Sequence, residues 1–187
     1  MTAPYGYFQA MKRLFVPLMM ILIPALIFTQ GEGERQTAGL VGNPEYEKML
    51  GRLLSASVPI VGAKEALALL ESNGALFLDV REVSEFSVSR IPGALHVGYT
   101  EPDISRLESS DRSVAVVVYC SVGYRSEKIA ERLKADGFLE VRNLYGGIFE
   151  WRNLGYPLEG PDGATETVHG YSPRWGRWIN IPDSVVY

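Results

Sequence analysis

The sequence predicts an α/β protein of three layers, with a central parallel β-sheet and helices on both of its faces. Short apolar runs at 75–80 and 114–119 are typical of strands that are buried on both faces, as parallel strands are. These runs alternate along the chain with amphipathic helical patterns, as at 63–72 and 126–135. Such alternation indicates a parallel sheet covered by helices.

Bulk composition limits the classes of protein to consider. The chain has 187 residues, which suits one domain with extensions, and its apolar content of 47% is ordinary for a globular protein. The formal net charge of −4 argues against nucleic acid as a partner. Cys120 is the one cysteine of the sequence, so no intramolecular disulfide is possible.

Residues 1–30 are predicted to direct the chain out of the cytoplasm. Lys12 and Arg13 precede fifteen uncharged residues, 14–28, which as a helix would span about 22 Å, short of a bilayer core of about 30 Å. A basic start, a short apolar stretch and then small polar residues describe a secretory signal, with cleavage near 29–31. An uncleaved membrane anchor is the alternative. Both place the domain in the periplasm or cell envelope.

Residues 31–57 are predicted to form a linker and a short helix. The stretch 31–42 is polar and rich in glycine, with no helical or strand periodicity. Asn43 suits an N-cap, and Pro44 suits the first helical position that follows it.

Residues 58–158 hold the predicted domain, in which short strands and helices alternate. The order is an edge strand at 58–61, a helix at 63–72, a buried strand at 75–80, a short helix at 82–89, a strand within 91–97, a short helix at 101–110, the central strand at 114–119, a helix at 126–135, a strand at 141–144 and a last helix that begins at 146–147. Residues 159–187 form an aromatic C-terminal extension. We expect its aromatic side chains to pack back onto the domain, and a protein-binding surface is the alternative.

Cys120 directly follows the central apolar run, and the next helical pattern begins at Ser126. Open α/β sheets place their ligand crevices at the carboxyl ends of strands. Gly123 in the short loop permits a turn that points backbone N–H groups inward, and the following helix adds the positive end of its dipole. Arg125 adds a full positive charge. Because each feature stabilises an anion, the loop favours a reactive thiolate over a cysteine that merely fills the core.

Asp79 and Arg81 lie at the carboxyl end of the preceding buried strand. A carboxylate next to Cys120 would disfavour the thiolate, so we expect Asp79 to pair with Arg81 or to accept loop hydrogen bonds. His96 is expected to pack within a strand rather than act as a base. His96 and His169 lack ligand spacing and there is no second cysteine, so neither a metal nor an organic cofactor is expected.

Three stretches resemble the rhodanese family of sulfurtransferases, in that family's order. They are 120–126 (CSVGYRS), 78–94 with LDVRE, EF and IPGA, and 145–157 with YGGIFEW and GYP. Together they cover about residues 58–158, which is a normal domain length. The family motif usually carries histidine before Ile-Pro, where this chain has Arg90.

The resemblance implies a three-layer rhodanese-like fold and ping-pong transfer of a sulfane sulfur, carried as a Cys120 persulfide from a donor such as thiosulfate to a nucleophilic acceptor. In that mechanism the backbone of Ser121, Val122, Gly123, Tyr124, Arg125 and Ser126 holds the persulfide, Arg125 steers the donor and Tyr124 forms the rim.

Two other functions are considered. Related phosphatases and arsenate reductases place five residues between cysteine and arginine, whereas this chain has four, a smaller cradle that suits one sulfur better than a tetrahedral oxyanion. A non-catalytic rhodanese-like module for binding or sensing remains open, because an intact loop does not prove turnover.

Overall fold

The structure is a computed structural model that describes residue 37 and residues 39–107 and 111–187. The export segment predicted for 1–30 lies outside these residues. In the described ranges, no helix has the length and apolar character needed to cross a membrane.

Within the described residues, short helices and strands follow one another, with two 3₁₀ turns, at Ser105–Leu107 and Pro182–Ser184. The helices are α1 (Pro44–Leu53), α2 (Ala63–Glu71), α3 (Val83–Val88), α4 (Tyr124–Ala135), α5 (Gly147–Asn153) and α6 (Pro173–Gly176). The strands are β1 (Ile60–Val61), β2 (Leu76–Asp79), β3 (Leu95–His96), β4 (Val116–Tyr119), β5 (Val141–Leu144), β6 (Leu158–Gly160), β7 (Gly163–Thr165), β8 (Val168–His169) and β9 (Val185–Val186).

The first five strands form one parallel sheet in the order β1-β5-β4-β2-β3, so β4 is the central strand. Every residue of β4 is buried, because helices cover both faces. The parallel α/β class predicted from the apolar runs is therefore confirmed. Strand β1 lies at the edge of the sheet, where the nearby Pro59 is tolerated.

Alternation along the strands sends side chains to two separate cores. Phe77 and Val117 join a cluster with α1, α2 and α5, whereas Leu78 and Val118 join a cluster with α4. Since successive side chains of a strand point to opposite faces, Cys120 shares the α4 face with Val118. This alternation thus places the thiol next to the beginning of α4.

Two predicted helix boundaries are corrected. The helix after the cysteine begins at Tyr124 rather than at Ser126, because Gly123 already has the left-handed φ of 116° that turns the chain into the helix. Of the helix expected over 101–110, the structure shows only a 3₁₀ turn at Ser105–Leu107, and residues 108–110 lie outside the described part.

The segment before β1 packs onto the domain. Tyr46 and Leu50 of α1 are fully buried, and the Tyr46 hydroxyl donates to the Gly146 carbonyl at 2.8 Å. Val41 is buried, and the Gly42 N–H donates to Glu150 Oε1 at 2.9 Å. Val41 and Gly42, which the composition places in a linker, therefore lie against the domain. Asn43 caps α1 as predicted, accepting bonds from the N–H groups of the first turn.

The C-terminal extension also packs back onto the domain. Trp178 stacks on Tyr46, with ring centroids 5.2 Å apart and planes 16° from parallel. At the start of the extension, the Glu159 backbone bridges to Arg90 in both directions at 2.9 Å, and the Arg90 guanidinium reaches the Glu159 carboxylate at 2.6 Å. Arg90 thus ties the extension to the domain through both its backbone and its side chain.

Candidate functional site

Cys120 lies one residue beyond β4, at the carboxyl edge of the sheet, and is 1% exposed. The Gly123 N–H donates to its sulfur, with 3.1 Å between nitrogen and Sγ. This bond closes the loop of residues 120–123 and points a backbone donor at the thiol. The first turn of α4 follows at once, so the partial positive charge of the helix N-terminus lies on the same side.

Two buried polar side chains, those of Ser126 and Asn143, hold the cysteine loop in place. The Ser126 hydroxyl lies 2.7 Å from Asn143 Oδ1 and 3.6 Å from Cys120 Sγ. Asn143 Nδ2 donates to the Gly123 carbonyl at 3.0 Å, which fixes the amide orientation and leaves Oδ1 to accept from Ser126. The hydroxyl carries one hydrogen, so donating to a sulfur anion would require it to leave Asn143.

The beginning of α5 holds the other side of the loop. The Ile148 N–H donates to the Cys120 carbonyl at 2.9 Å, and the Phe149 N–H donates to the Ser121 carbonyl at 3.2 Å. A Cβ on Gly147 would lie 2.4 Å from the Cys120 carbonyl oxygen, and Gly147 has a φ of 56°. Only glycine therefore permits this approach between helix and loop.

Arg125 lies in a compact polar cluster with Glu85 and Ser121. Its Nη1 donates to Glu85 Oε2 at 2.7 Å, and its Nη2 donates to Glu85 Oε1 at 2.9 Å and to Ser121 Oγ at 3.0 Å. The Ser121 hydroxyl donates in turn to Glu85 Oε1 at 2.8 Å. The Glu82 N–H also donates to Glu85, at 3.1 Å, so α3 holds this carboxylate in place.

Electrostatics keep both members of this pair charged. Burial alone would raise the pKa of Glu85, but its bonds to Arg125 hold that pKa below the ordinary 4.5. Burial alone would lower the pKa of Arg125, yet the Glu85 carboxylate and the negative charge of a Cys120 thiolate raise it. The guanidinium therefore lies within electrostatic reach of the sulfur as well as of the carboxylate.

The predicted supporting residues form a second, sealed pair. Arg81 Nη2 lies 2.6 Å from Asp79 Oδ2, and neither side chain is exposed at all. Arg81 also donates to the Ser89 carbonyl at 2.6 Å. This is the pairing that the sequence leads us to expect for Asp79. Its burial fits a structural role at the strand end.

The remaining candidate residues divide between loop and surface. Val122 is buried, whereas Tyr124 at the start of α4 is 44% exposed. His96 lies in β3, with Nε2 2.8 Å from the Arg81 carbonyl oxygen. His169 lies in β8, where its Nδ1 accepts from the Tyr171 N–H at 3.0 Å.

Three residues of the site have no assigned role in the sequence analysis. Asn143 left only a weak signal, because its strand, Val141–Leu144, carries the polar Arg142 as well. Glu85 left a weaker one, since it stands three residues after Glu82, a spacing that suits a capping box. Tyr171 left none. Its ring lies 5.1 Å from the Arg125 guanidinium carbon, although it comes from the C-terminal extension.

A cleft of about 610 Å³ lies apart from these groups. Gly42, Gly62, Glu150 and Tyr156 are among its lining residues, and no residue of the 120–126 loop lines it. Its size therefore gives no reason to move the candidate site away from the cysteine.

Comparison with known proteins points to the same part of the chain. The profile of the family described as "Rhodanese-like domain" matches residues 62–154. The chain is 31% identical over 111 residues to the thiosulfate sulfurtransferase GlpE of Actinobacillus succinogenes, covering 59% of this chain and 92% of that protein. It is also 31% identical over 100 residues to a protein named as a sulfur carrier, YrkF of Bacillus subtilis, and spans only 52% of that protein's length.

Solved structures agree in fold. The rhodanese-like domain of an Anabaena protein aligns with a TM-score of 0.50 at 28% identity, covering 55% of this chain and 80% of that domain. A thiosulfate sulfurtransferase from Pseudomonas aeruginosa aligns with a TM-score of 0.51 at 30% identity, covering 55% of this chain and 20% of the other. The shared sheet, the profile match and the near-complete coverage of the Actinobacillus succinogenes relative lead to one conclusion: this chain belongs to the rhodanese-like family of sulfurtransferases.

Proposed function

We propose that this protein transfers sulfane sulfur, which it carries as a persulfide on Cys120. The observation that supports this most directly is the hydrogen bond from the Gly123 N–H to Cys120 Sγ at 3.1 Å. A backbone donor aimed at sulfur, next to a helix N-terminus, stabilises an anion there without any rearrangement. Relatives named as thiosulfate sulfurtransferases support the same chemistry.

The proposed reaction has two half-reactions. The Cys120 thiolate attacks the outer sulfur of thiosulfate, the S–S bond of the donor breaks, and sulfite leaves with the electron pair of that bond. The new S–S bond makes Cys120 a persulfide anion. A nucleophilic acceptor, such as a thiolate or cyanide, then attacks the outer sulfur, and the Cys120 thiolate returns as the leaving group.

The loop residues divide the work in this proposal. The backbone between Ser121 and Ser126 surrounds the persulfide, with Gly123 as its closest donor. Arg125 provides the positive charge toward which the sulfonate of the donor is steered. Tyr124, exposed at the rim, contacts the donor or the acceptor, while Val122 keeps the loop packed against the domain.

A non-catalytic module for binding or sensing is the second candidate. The observation in its favour is that Cys120 is only 1% exposed, so a donor must reach a sulfur that is nearly covered. The two functions differ in turnover, because a sensor would take up sulfur without passing it on.

Intact-mass measurement separates these functions. We expect the protein to gain about 32 Da, the mass of one sulfur, after incubation with thiosulfate, and to lose it again on addition of cyanide or a thiol. Cys120→Ala removes the only thiol and must show neither change. Uptake without release would favour the sensing module. No uptake by the parent from thiosulfate or from a second sulfane donor would reject sulfur transfer.

We also propose that the chain is exported, with residues 14–28 acting as a signal or an anchor. The basic pair Lys12 and Arg13 before the apolar stretch supports this. Cell fractionation should find the folded domain outside the cytoplasm. A full-length protein in the cytoplasmic fraction would reject export, and a full-length protein in the membrane fraction would identify the anchor.

A further inference from the structure

Tyr171 belongs to the C-terminal extension, beyond residue 154 where the family match ends, yet it contacts the candidate site. The Arg125 guanidinium carbon lies 5.1 Å from the centroid of its ring, a distance at which a cation is attracted to an aromatic face. The Arg125 side chain is only 14% exposed, whereas Tyr171 is 52% exposed. The ring therefore covers part of the guanidinium and itself borders solvent.

The backbone holds Tyr171 in an unfavourable conformation. Its φ of 62° lies in the left-handed region, which residues other than glycine rarely adopt. Its N–H donates to His169 Nδ1 at 3.0 Å, and the preceding Gly170 N–H donates to the Val186 carbonyl at 2.8 Å. A Cβ on Gly170 would lie 2.6 Å from Val185 Cγ1, so the turn packs tightly on β9. The extension thus fixes where this ring lies.

We propose that Tyr171 is a positioning residue of the sulfur-transfer site, whose ring holds the Arg125 guanidinium so that its edge faces an anion at Cys120. This rests on the proposed function. Glu85 and Ser121 accept from three of the five guanidinium N–H groups. The N–H groups lie in the guanidinium plane, so an anion that binds the remaining ones must approach edge-on. Covering a face with an aromatic ring leaves that approach open.

The expected consequence is selectivity by charge. Without the ring, the guanidinium keeps its bonds to Glu85 and Ser121 but loses the contact that limits its tilt. An anionic reagent should then react more slowly at Cys120, while a neutral reagent of the same size should not. A purely structural role in holding the extension would change both rates together.

Alkylation of the full chain tests this without requiring sulfur transfer. Because Cys120 is the only cysteine, intact mass reports its reaction with anionic iodoacetate and with neutral iodoacetamide. Tyr171→Leu should lower the ratio of the iodoacetate rate to the iodoacetamide rate roughly two- to fivefold, the size of a partly exposed cation–π contact. Tyr171→Phe keeps the aromatic face and should keep the ratio. The matched control is Tyr187→Leu, which changes an exposed aromatic residue packed beside Gly170.

Several results would overturn the proposal. These are an unchanged ratio in Tyr171→Leu, an equal fall in Tyr187→Leu, or a parent protein that reacts with neither reagent. In an Arg125→Gln background, Tyr171→Leu should have no further effect, and a second fall of the same size would also overturn it. One further outcome separates this proposal from the proposed function. If Tyr171→Leu lowers the ratio of the two alkylation rates but the parent forms no persulfide with thiosulfate, the proposed function fails and the positioning role of Tyr171 stands.

Discussion

Two arginine–carboxylate pairs lie near the same edge of the sheet, and they differ in what surrounds them. Asp79 and Arg81 approach to 2.6 Å with neither side chain exposed. Glu85 and Arg125 approach to 2.7 Å, but the arginine keeps 14% of its side-chain surface in solvent. In this second pair, the pKa of Arg125 is raised by the Glu85 carboxylate and also by the charge of Cys120.

The difference shows how one kind of interaction serves two purposes. A fully buried pair repays its desolvation only when its geometry and additional hydrogen bonds are good. The Ser89 carbonyl accepts from Arg81 Nη2 at 2.6 Å, whereas Arg81 Nη1 is buried with no hydrogen-bond partner among the described residues. Such a pair fixes the backbone at the strand end and offers nothing to a ligand. The Glu85–Arg125 pair leaves part of the guanidinium for a donor, so it combines anchoring with access.

Breaking the sealed pair should have the largest effect. Arg81→Ala leaves the Asp79 carboxylate buried without its partner, and we expect it to lower the free energy of unfolding by about 3–5 kcal/mol. Urea denaturation followed by tryptophan fluorescence measures this. The part of the protein that remains folded should still form persulfide at the parent rate. A loss below about 1 kcal/mol would mean that the pair is not the anchor that its burial implies.

Changing the Glu85–Arg125 pair should affect the rate of sulfur transfer more than the stability of the fold. Arg125→Ala removes the charge that steers the donor. We expect the activation free energy of persulfide formation from thiosulfate to rise by about 1.5–3 kcal/mol, which slows the reaction roughly ten- to a hundredfold. The Gly123 N–H and the helix N-terminus remain, so the reaction should not vanish. Arg125→Lys keeps the charge but loses the planar fork, so it should recover only part of the rate. Mass spectrometry of quenched samples gives these rates, and an alanine variant that matches the parent would make Arg125 structural.

Because Glu85 is ionisable, the contribution of the Glu85–Arg125 pair to the stability of the fold depends on pH, in a direction that its pKa sets. Its pKa is lower in the folded protein than the ordinary 4.5, so its ionised form stabilises the fold above that pH, and the stabilisation is lost as pH falls through the lowered value. We expect Glu85→Gln to cost about 1.5 kcal/mol of unfolding free energy at pH 7. The difference from the parent should shrink as the pH is taken below 4.5. Denaturation curves from pH 7 to pH 3 measure it, and a difference that grows toward acid would contradict the assignment.

The two pairs also show how far a sequence can predict a site. Asp79 and Arg81 stand two residues apart at the end of an apolar run, so their pairing follows from local geometry. Glu85 and Arg125 are 40 residues apart, and their contact depends on how the fold places α3 relative to the first turn of α4. Cys120 and its loop were predictable because glycine, arginine and the strand end are adjacent in the sequence.

The C-terminal extension marks the limit of that prediction. Its aromatic composition indicates packing against the domain, which the Trp178–Tyr46 stack confirms. The contact of Tyr171 with Arg125 needs a residue in a left-handed conformation at a turn, and an exposed tyrosine in a polar context carries no sign of it. The protein-binding role considered for the extension stays a prediction.

The smallest effect is expected at a third pair, which separates burial from distance. Arg142 Nη1 lies 2.7 Å from Glu65 Oε1, the same distance as between Arg125 and Glu85, but the side chains are 32% and 61% exposed. Solvent screens the attraction, and ordering two long side chains opposes it, so Arg142→Ala should lower the free energy of unfolding by less than about 1 kcal/mol. That small loss should diminish further in 1 M salt, where the screening length falls to about 3 Å, whereas the loss in Arg81→Ala should change little. Parallel urea titrations of the two variants, at low and high salt, make this comparison. If Arg142→Ala destabilised the protein as much as Arg81→Ala, the contact distance rather than burial would set the strength of these pairs, and the distinction between the sealed and the exposed pair would fail.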